Sequence, residues 1–218
     1  LGSPEWQCGT VNTPRPATEH TAAHHARTCA GLHFDDRSDF ERASRGLLAR
    51  YDDFVIMGPL GRPMWDRPSF DFVQGECPPT VNPSLWRQAQ LNQHHGLFEV
   101  MDGIYQVRGH DISNITFIRS DNGWIVIDPL TVAETAATAR ALVDQHFGVR
   151  PVKAVIYTHS HADHFGGVRA IVTDDEVRGG EVVIIAPEGF LKAAVAPTCA
   201  KAGTGSKPTS MTWIASCA

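Results

Sequence analysis

Within seven residues the chain gathers four side chains able to hold a metal ion: His159, His161, Asp163 and His164, in the run Thr158-His159-Ser160-His161-Ala162-Asp163-His164. Zinc favours imidazole nitrogen and carboxylate oxygen, and catalytic zinc sites keep one position open for water. On an extended loop His159 and His161 project to the same side, so both reach one ion. Asp163 and His164 come one step later, where the chain turns, and so face a second ion. Two ions held this way share a water, lower its pKa and clamp an oxyanion. Asp163 is the carboxylate given a catalytic part as well as a ligand's part. Asp128, ahead of Pro129 at the end of an apolar run, is placed to orient one of the metal-bound histidines, as outer carboxylates do. A plain turn aspartate is the competing reading. Gly166 and Gly167 directly follow the cluster, and are expected to let the backbone pass close beneath the metals.

Such a loop needs a rigid element before it. Pro151 to Tyr157 is nearly continuous in apolar residues and reads as a buried strand. Four short β-type runs precede it, starting at Leu97, Ile104, Ile115 and Trp124, with Asp102-Gly103 and Asp121-Asn122-Gly123 as hairpin turns. A helix from Val132 to His146 separates the meander from the buried strand. A further helix is expected over Phe165–Ile171 and a further strand over Val182–Ile185. Upstream, Asn82-Pro83 predicts a helix start, with Gly96 as its end. Asp39 to Arg50 reads as a helix, Phe70–Val73 as a short strand, and residues 1–38 as an extended arm. Strands with helices folded onto them predict a mixed α/β architecture.

The bulk numbers exclude more than they assign. A formal net charge of -5 gives no electrostatic reason to expect nucleic acid or an anionic membrane as partner. No stretch is long and apolar enough to span a bilayer, and no signal peptide is visible. Localisation is left open. The five cysteines, Cys8, Cys29, Cys77, Cys199 and Cys217, form no C-x-x-C pair and read as free thiols.

His-x-His-x-Asp-His resembles the signature of the metallo-β-lactamase superfamily. The chain from Phe34 to about Val195 further resembles its linear alkyl sulfatase branch. The resemblance is carried by Phe34-Asp35-Asp36-Arg37-Ser38-Asp39-Phe40, by the block Val81–Asn92, by Gly96–Val100, Tyr105–Gly109, Asn114-Ile115-Thr116 and Ile127–Leu130, and by Tyr157–Val168. It implies an αββα sandwich of which only the N-terminal part is present. It also implies two zinc ions and hydrolysis of primary alkyl sulfates, such as dodecyl sulfate, to alcohol and sulfate. His159 and His161 match ligands of one zinc, and Asp163 and His164 match ligands of the other. Relatives of this kind pair as homodimers through a helical domain and carry a sterol-carrier-like domain; neither has a counterpart here.

The family completes its metal site with downstream ligands, yet no histidine follows His164. The sequence therefore suggests a C-terminally truncated chain in three parts. These are an arm over 1–38, a partial catalytic domain over 39–196, and an aberrant tail over 197–218 expected to be disordered. With two protein ligands per zinc, this chain alone is expected to be inactive or nearly so. Two other functions stay open on the residues alone. One is another hydrolase of the same fold, such as a lactamase, thioesterase, lactonase or phosphodiesterase. The other is a non-catalytic metal-binding remnant.

Overall fold

Side-chain alternation divides the meander into two unlike faces. In a computed structural model that describes residues 15–195 and the backbone of residues 213–215, the elements in chain order are α1 (Glu19–Gly31), α2 (Ser38–Ser44), β1 (Leu47–Ala49), β2 (Val55–Met57), β3 (Pro63–Asp66), α3 (Pro83–Leu91), β4 (Gly96–Met101), β5 (Ile104–Arg108), β6 (Ile115–Ser120), β7 (Gly123–Ile127), α4 (Ala133–Phe147), β8 (Val152–Ile156), α5 (Asp174–Arg178), β9 (Val183–Pro187), α6 (Phe190–Val195) and β10 (Trp213–Ala215). One sheet runs in the order β1-β4-β5-β6-β7-β8-β9-β10, and β2 and β3 form a separate hairpin. Pairing is antiparallel except for β7–β8 and β8–β9, which are parallel. The crossover from β7 to β8 is α4.

Register decides what is buried. The row Tyr105–Phe117–Val126–Val155 crosses four strands on one face and packs with Trp124 against Ala136, Ala139, Leu142 and Val143 of α4. Each large side chain so buried is worth about 1.5–3 kcal/mol. The opposite face carries Ile104–Ile118–Ile125–Ala154 and Gln106–Thr116–Ile127–Ile156, all half-buried. The mixed α/β class read from the sequence is the class observed. Among the described residues there is one large sheet, with its main helix on one side.

Helix α3 begins as its sequence dictates: the Asn82 side chain accepts from the backbone N–H of Ser84 at 2.9 Å and of Leu85 at 3.4 Å, with Pro83 in the first turn. It stops at Leu91, and Gly96 opens β4 instead of ending the helix.

Other expectations need correction. Within the predicted arm, Glu19–Gly31 is a helix, capped by Thr18 accepting from the Thr21 N–H; it buries no residue, so no apolar period marked it. The helix from Asp39 stops at Ser44, because Gly46 takes φ 76° and Leu47–Ala49 pair with β4 as a strand. The expected strand at Phe70–Val73 is absent. A 3₁₀ turn lies at Pro68–Phe70, and the strands of that region are β2 and β3. Over Phe165–Ile171 the structure has only a 3₁₀ turn, Val168–Ala170; the next helix is α5, opened by a capping box between Thr173 and Glu176. Trp213–Ala215, in the tail expected to be disordered, pairs with β9; the rest of that tail lies outside the described residues.

Candidate metal centre

The parallel strands β7 and β8 end side by side, and the groups of interest sit just beyond them, where α/β sheets place ligands. After Ile127 the chain turns sharply: Asp128 and Leu130 take positive φ angles of 54° and 62°, a costly conformation for non-glycine residues. The turn aims the buried Asp128 carboxylate across at the next strand's end. Its Oδ1 accepts from the Thr158 N–H at 2.8 Å, and its Oδ2 from the Thr158 hydroxyl at 2.6 Å. Asp128 Oδ2 also meets His164 Nδ1 at 2.8 Å. That contact suits a proton on Nδ1 and makes Nε2 the nitrogen available to a metal, on the side where the Asp163 carboxylate lies. The orienting part foreseen for Asp128 has this geometry.

The loop's imidazoles gather beside it. The His159 ring centre lies 4.6 Å from that of His161 and 4.0 Å from that of His164. Burial, and then the neighbouring His164 and His161, push the His159 pKa down, which keeps the ring neutral and its lone pair available. Asp163 lies in a 3₁₀ turn, Ala162–His164, and its Oδ2 stands 3.2 Å from His164 Nε2. Its backbone carbonyl is held by the Ser113 hydroxyl.

The structure thus brings all five sequence-selected residues together. The donor types suit zinc, and His164 is anchored as a metal-bound histidine would be. Among the described residues, however, no group of three or more His, Cys, Asp or Glu side chains forms a complete cage.

Two further anchors were not foreseen. Asp111 is buried and accepts from the Thr131 N–H at 3.0 Å, the Thr131 hydroxyl at 2.7 Å and the Thr135 hydroxyl at 2.6 Å. It pins the loop after Asp128 to the start of α4. Ser113 ties the same segment to Asp163. Their sequence signal was only position, since both follow β5 at the sheet end where β7 and β8 stop. The glycines after the cluster permit a close backbone approach. A Cβ on Gly166 would lie 2.1 Å from the Thr131 carbonyl oxygen, and one on Gly167 2.3 Å from that of Pro129. They admit the Pro129–Val132 backbone.

Comparison with known proteins agrees with this arrangement. Residues 108–196 match the Metallo-beta-lactamase superfamily, a match that spans the sheet from the end of β5 to β9, the crossover helix and the histidine loop. More narrowly, the chain's relatives are alkylsulfatases. It is 51% identical over 166 residues to the alkyl/aryl-sulfatase BDS1 of Saccharomyces cerevisiae, covering 76% of this chain and 26% of that one. It is 46% identical over 192 residues to a linear primary-alkylsulfatase of Pseudomonas sp, covering 87% and 28%. The solved structure of the inverting sec-alkylsulfatase Pisa1 from Pseudomonas sp. superposes with a TM-score of 0.76 at 48% identity, covering 83% of this chain and 28% of that one. The chain spans about a quarter of the length of these relatives.

Proposed function

We propose that this chain carries the metal loop of a zinc-dependent alkyl sulfate hydrolase. The observation that carries the reading is the Asp128–Thr158–His164 network, which orders the loop's donors; the 46–51% identity to alkylsulfatases supports the substrate class. His159 and His161 would hold one ion, and Asp163 and His164 another. When bound, the ions supply Lewis-acid activation of water and neutralise charge on the sulfate group. The residues here set the stage for that. Asp128 holds the proton of His164 at Nδ1, Ser113 fixes the backbone of Asp163, and the Asp163 carboxylate orients the attacking water. Water and a primary alkyl sulfate give alcohol and hydrogen sulfate.

With no third donor brought to either ion among the described residues, zinc affinity and turnover by this chain are expected to be low. The absence of a three-donor group among the described residues favours one second reading, a metal-binding segment without catalysis. A zinc titration of the purified chain, followed by measurement of sulfate released from dodecyl sulfate, separates the two. Zinc-dependent release that is lost in His159→Ala and His164→Ala supports hydrolysis. Zinc binding lost in the same variants, with no sulfate released, supports the second reading.

A further inference from the structure

Two thiols far apart in the sequence, Cys29 on α1 and Cys77 ahead of α3, meet where the N-terminal helix lies on the turn leading into α3. Only Thr21, His25 and Thr28 of α1 are half-buried; the rest of the helix is exposed. His25 Nδ1 donates to the Pro79 carbonyl at 3.1 Å. Cys29 follows His25 by four residues, about 40° further round the helix, so it stands one turn along on the same side. Cys77 precedes Pro79 by two residues and is half-buried in the turn, its sulfur 3.5 Å from the Pro78 carbonyl oxygen and 3.4 Å from that of Val81. The Val81 N–H closes that turn onto the Pro78 carbonyl at 2.9 Å. Both thiols are free in this structure. Burial first, and the neighbouring Cys29 second, push the Cys77 thiol pKa up, in keeping with two sulfurs close together across this contact.

Helix α1 is secured firmly at one end only. The segment after it is gripped from α3: the Arg87 guanidinium donates to the Phe34 carbonyl at 3.2 Å and to that of Asp36, and lies over the Phe40 ring. Beyond that grip α1 buries no residue. Among the described residues, the His25–Pro79 contact is the one hydrogen bond from α1 to the rest of the domain. An element held so lightly opens at little cost, and a covalent link near Pro79 would fix its position.

We propose that Cys29 and Cys77 form a disulfide when the chain meets a small disulfide oxidant such as oxidised glutathione, and that this bond clamps α1 onto the turn before α3. Cys29 is exposed, so it is the thiol reached first. Its thiolate displaces one glutathione from the oxidant and becomes a mixed disulfide. The Cys77 thiolate then attacks the Cys29 sulfur and releases the second glutathione. Two protein thiols give up two electrons and two protons, and one oxidised glutathione becomes two reduced ones. Cys77, the thiol held protonated, makes the second step the slower one and quickens it in mild alkali. Nothing in this clamp depends on the metal loop.

The test is a peptide map of the full chain after equilibration in glutathione buffers of increasing oxidised fraction and alkylation of the remaining thiols. Trypsin isolates Cys29 in residues 28–37 and Cys77 in residues 51–87, because Arg62 and Arg67 each precede a proline. These two peptides should appear joined and should part on reduction. In urea the joined pair should be about tenfold rarer at the same buffer ratio, because the unfolded chain holds the thiols at a lower effective concentration. A second readout is native cleavage after Arg27, in the middle of α1, which requires the helix to open. Oxidation should slow it about tenfold, whereas Cys29→Ser, at an exposed position, should keep the fast cleavage in every buffer. Pairing of these thiols with Cys8, Cys199 or Cys217 instead, glutathione retained on Cys29, or an equal yield of the pair in urea overturns the proposal. So does a joined pair with unchanged cleavage after Arg27, since the bond would then clamp nothing.

Discussion

His110 makes the stability of this domain depend on acidity. Its ring is 1% exposed, and among the described residues neither nitrogen has a hydrogen-bond partner. It sits between the rings of Phe54 and Tyr51, at 4.6 and 6.0 Å between centres. Burial first, and the nearby His95 second, push its pKa from 6.5 down to about 4. The unfolded chain titrates at the ordinary value. Between pH 6.5 and about 4 the unfolded chain thus takes up a proton that the folded chain refuses, and stability falls as pH drops through that window. The full shift corresponds to about 3 kcal/mol, most of it lost between pH 7.5 and 4.5. That is a large share of the roughly 5–15 kcal/mol typical of a folded domain. His110→Phe replaces an unsatisfied imidazole by a ring suited to its aromatic neighbours, and removes the penalty. Urea unfolding of both proteins at the two pH values isolates the effect, because every other titrating group is common to both. The variant should lose about 2–3 kcal/mol less than the parent on acidification. Parallel losses would refute the reasoning, since His110 would then be reached by water or by a partner when protonated.

Three further outcomes follow from the same contacts. Asp128→Asn should leave the fold largely intact but place an amide N–H against His164 Nδ1, which moves the ring proton to Nε2; zinc affinity should fall about 10- to 100-fold, read by competition with a chromophoric chelator. Gly167→Ala puts a methyl group 2.3 Å from the Pro129 carbonyl oxygen and 2.6 Å from that of Val132. Neither atom is free to swing aside, so a loss of about 3 kcal/mol or more is expected in urea midpoints, whereas a neutral result would mean that the loop repacks. Asn82→Ala removes the only side-chain cap of α3 and should cost about 1 kcal/mol, seen as a lower thermal midpoint with an unchanged metal response.

Residue spacing alone located the histidine loop, since four donors in six positions after a buried strand are a local pattern. The meander was equally legible, because strict alternation and Asp-Gly and Asn-Gly turns act over a few residues. The helix at Glu19–Gly31 was not, for it buries nothing and so shows no apolar stripe. Strand β1 was hidden because Leu47 and Leu48 also fit a helical face; Gly46 and pairing with β4 decided between the two. Asp128 was placed correctly at a strand end, but its partners lie 30 and 36 residues on. No local rule could have named Thr158 as its partner. Asp111 and Ser113 escaped notice because their partners lie 20 to 50 residues away.

The sequence by itself therefore determined which residues could bind metal and that they follow a buried strand. Donor type and spacing are properties of a short stretch. Tertiary structure alone decided which donor is oriented and what pins the loop. Those outcomes depend on how strands β5, β7 and β8 align at one sheet edge, and such alignment comes from packing over the whole domain.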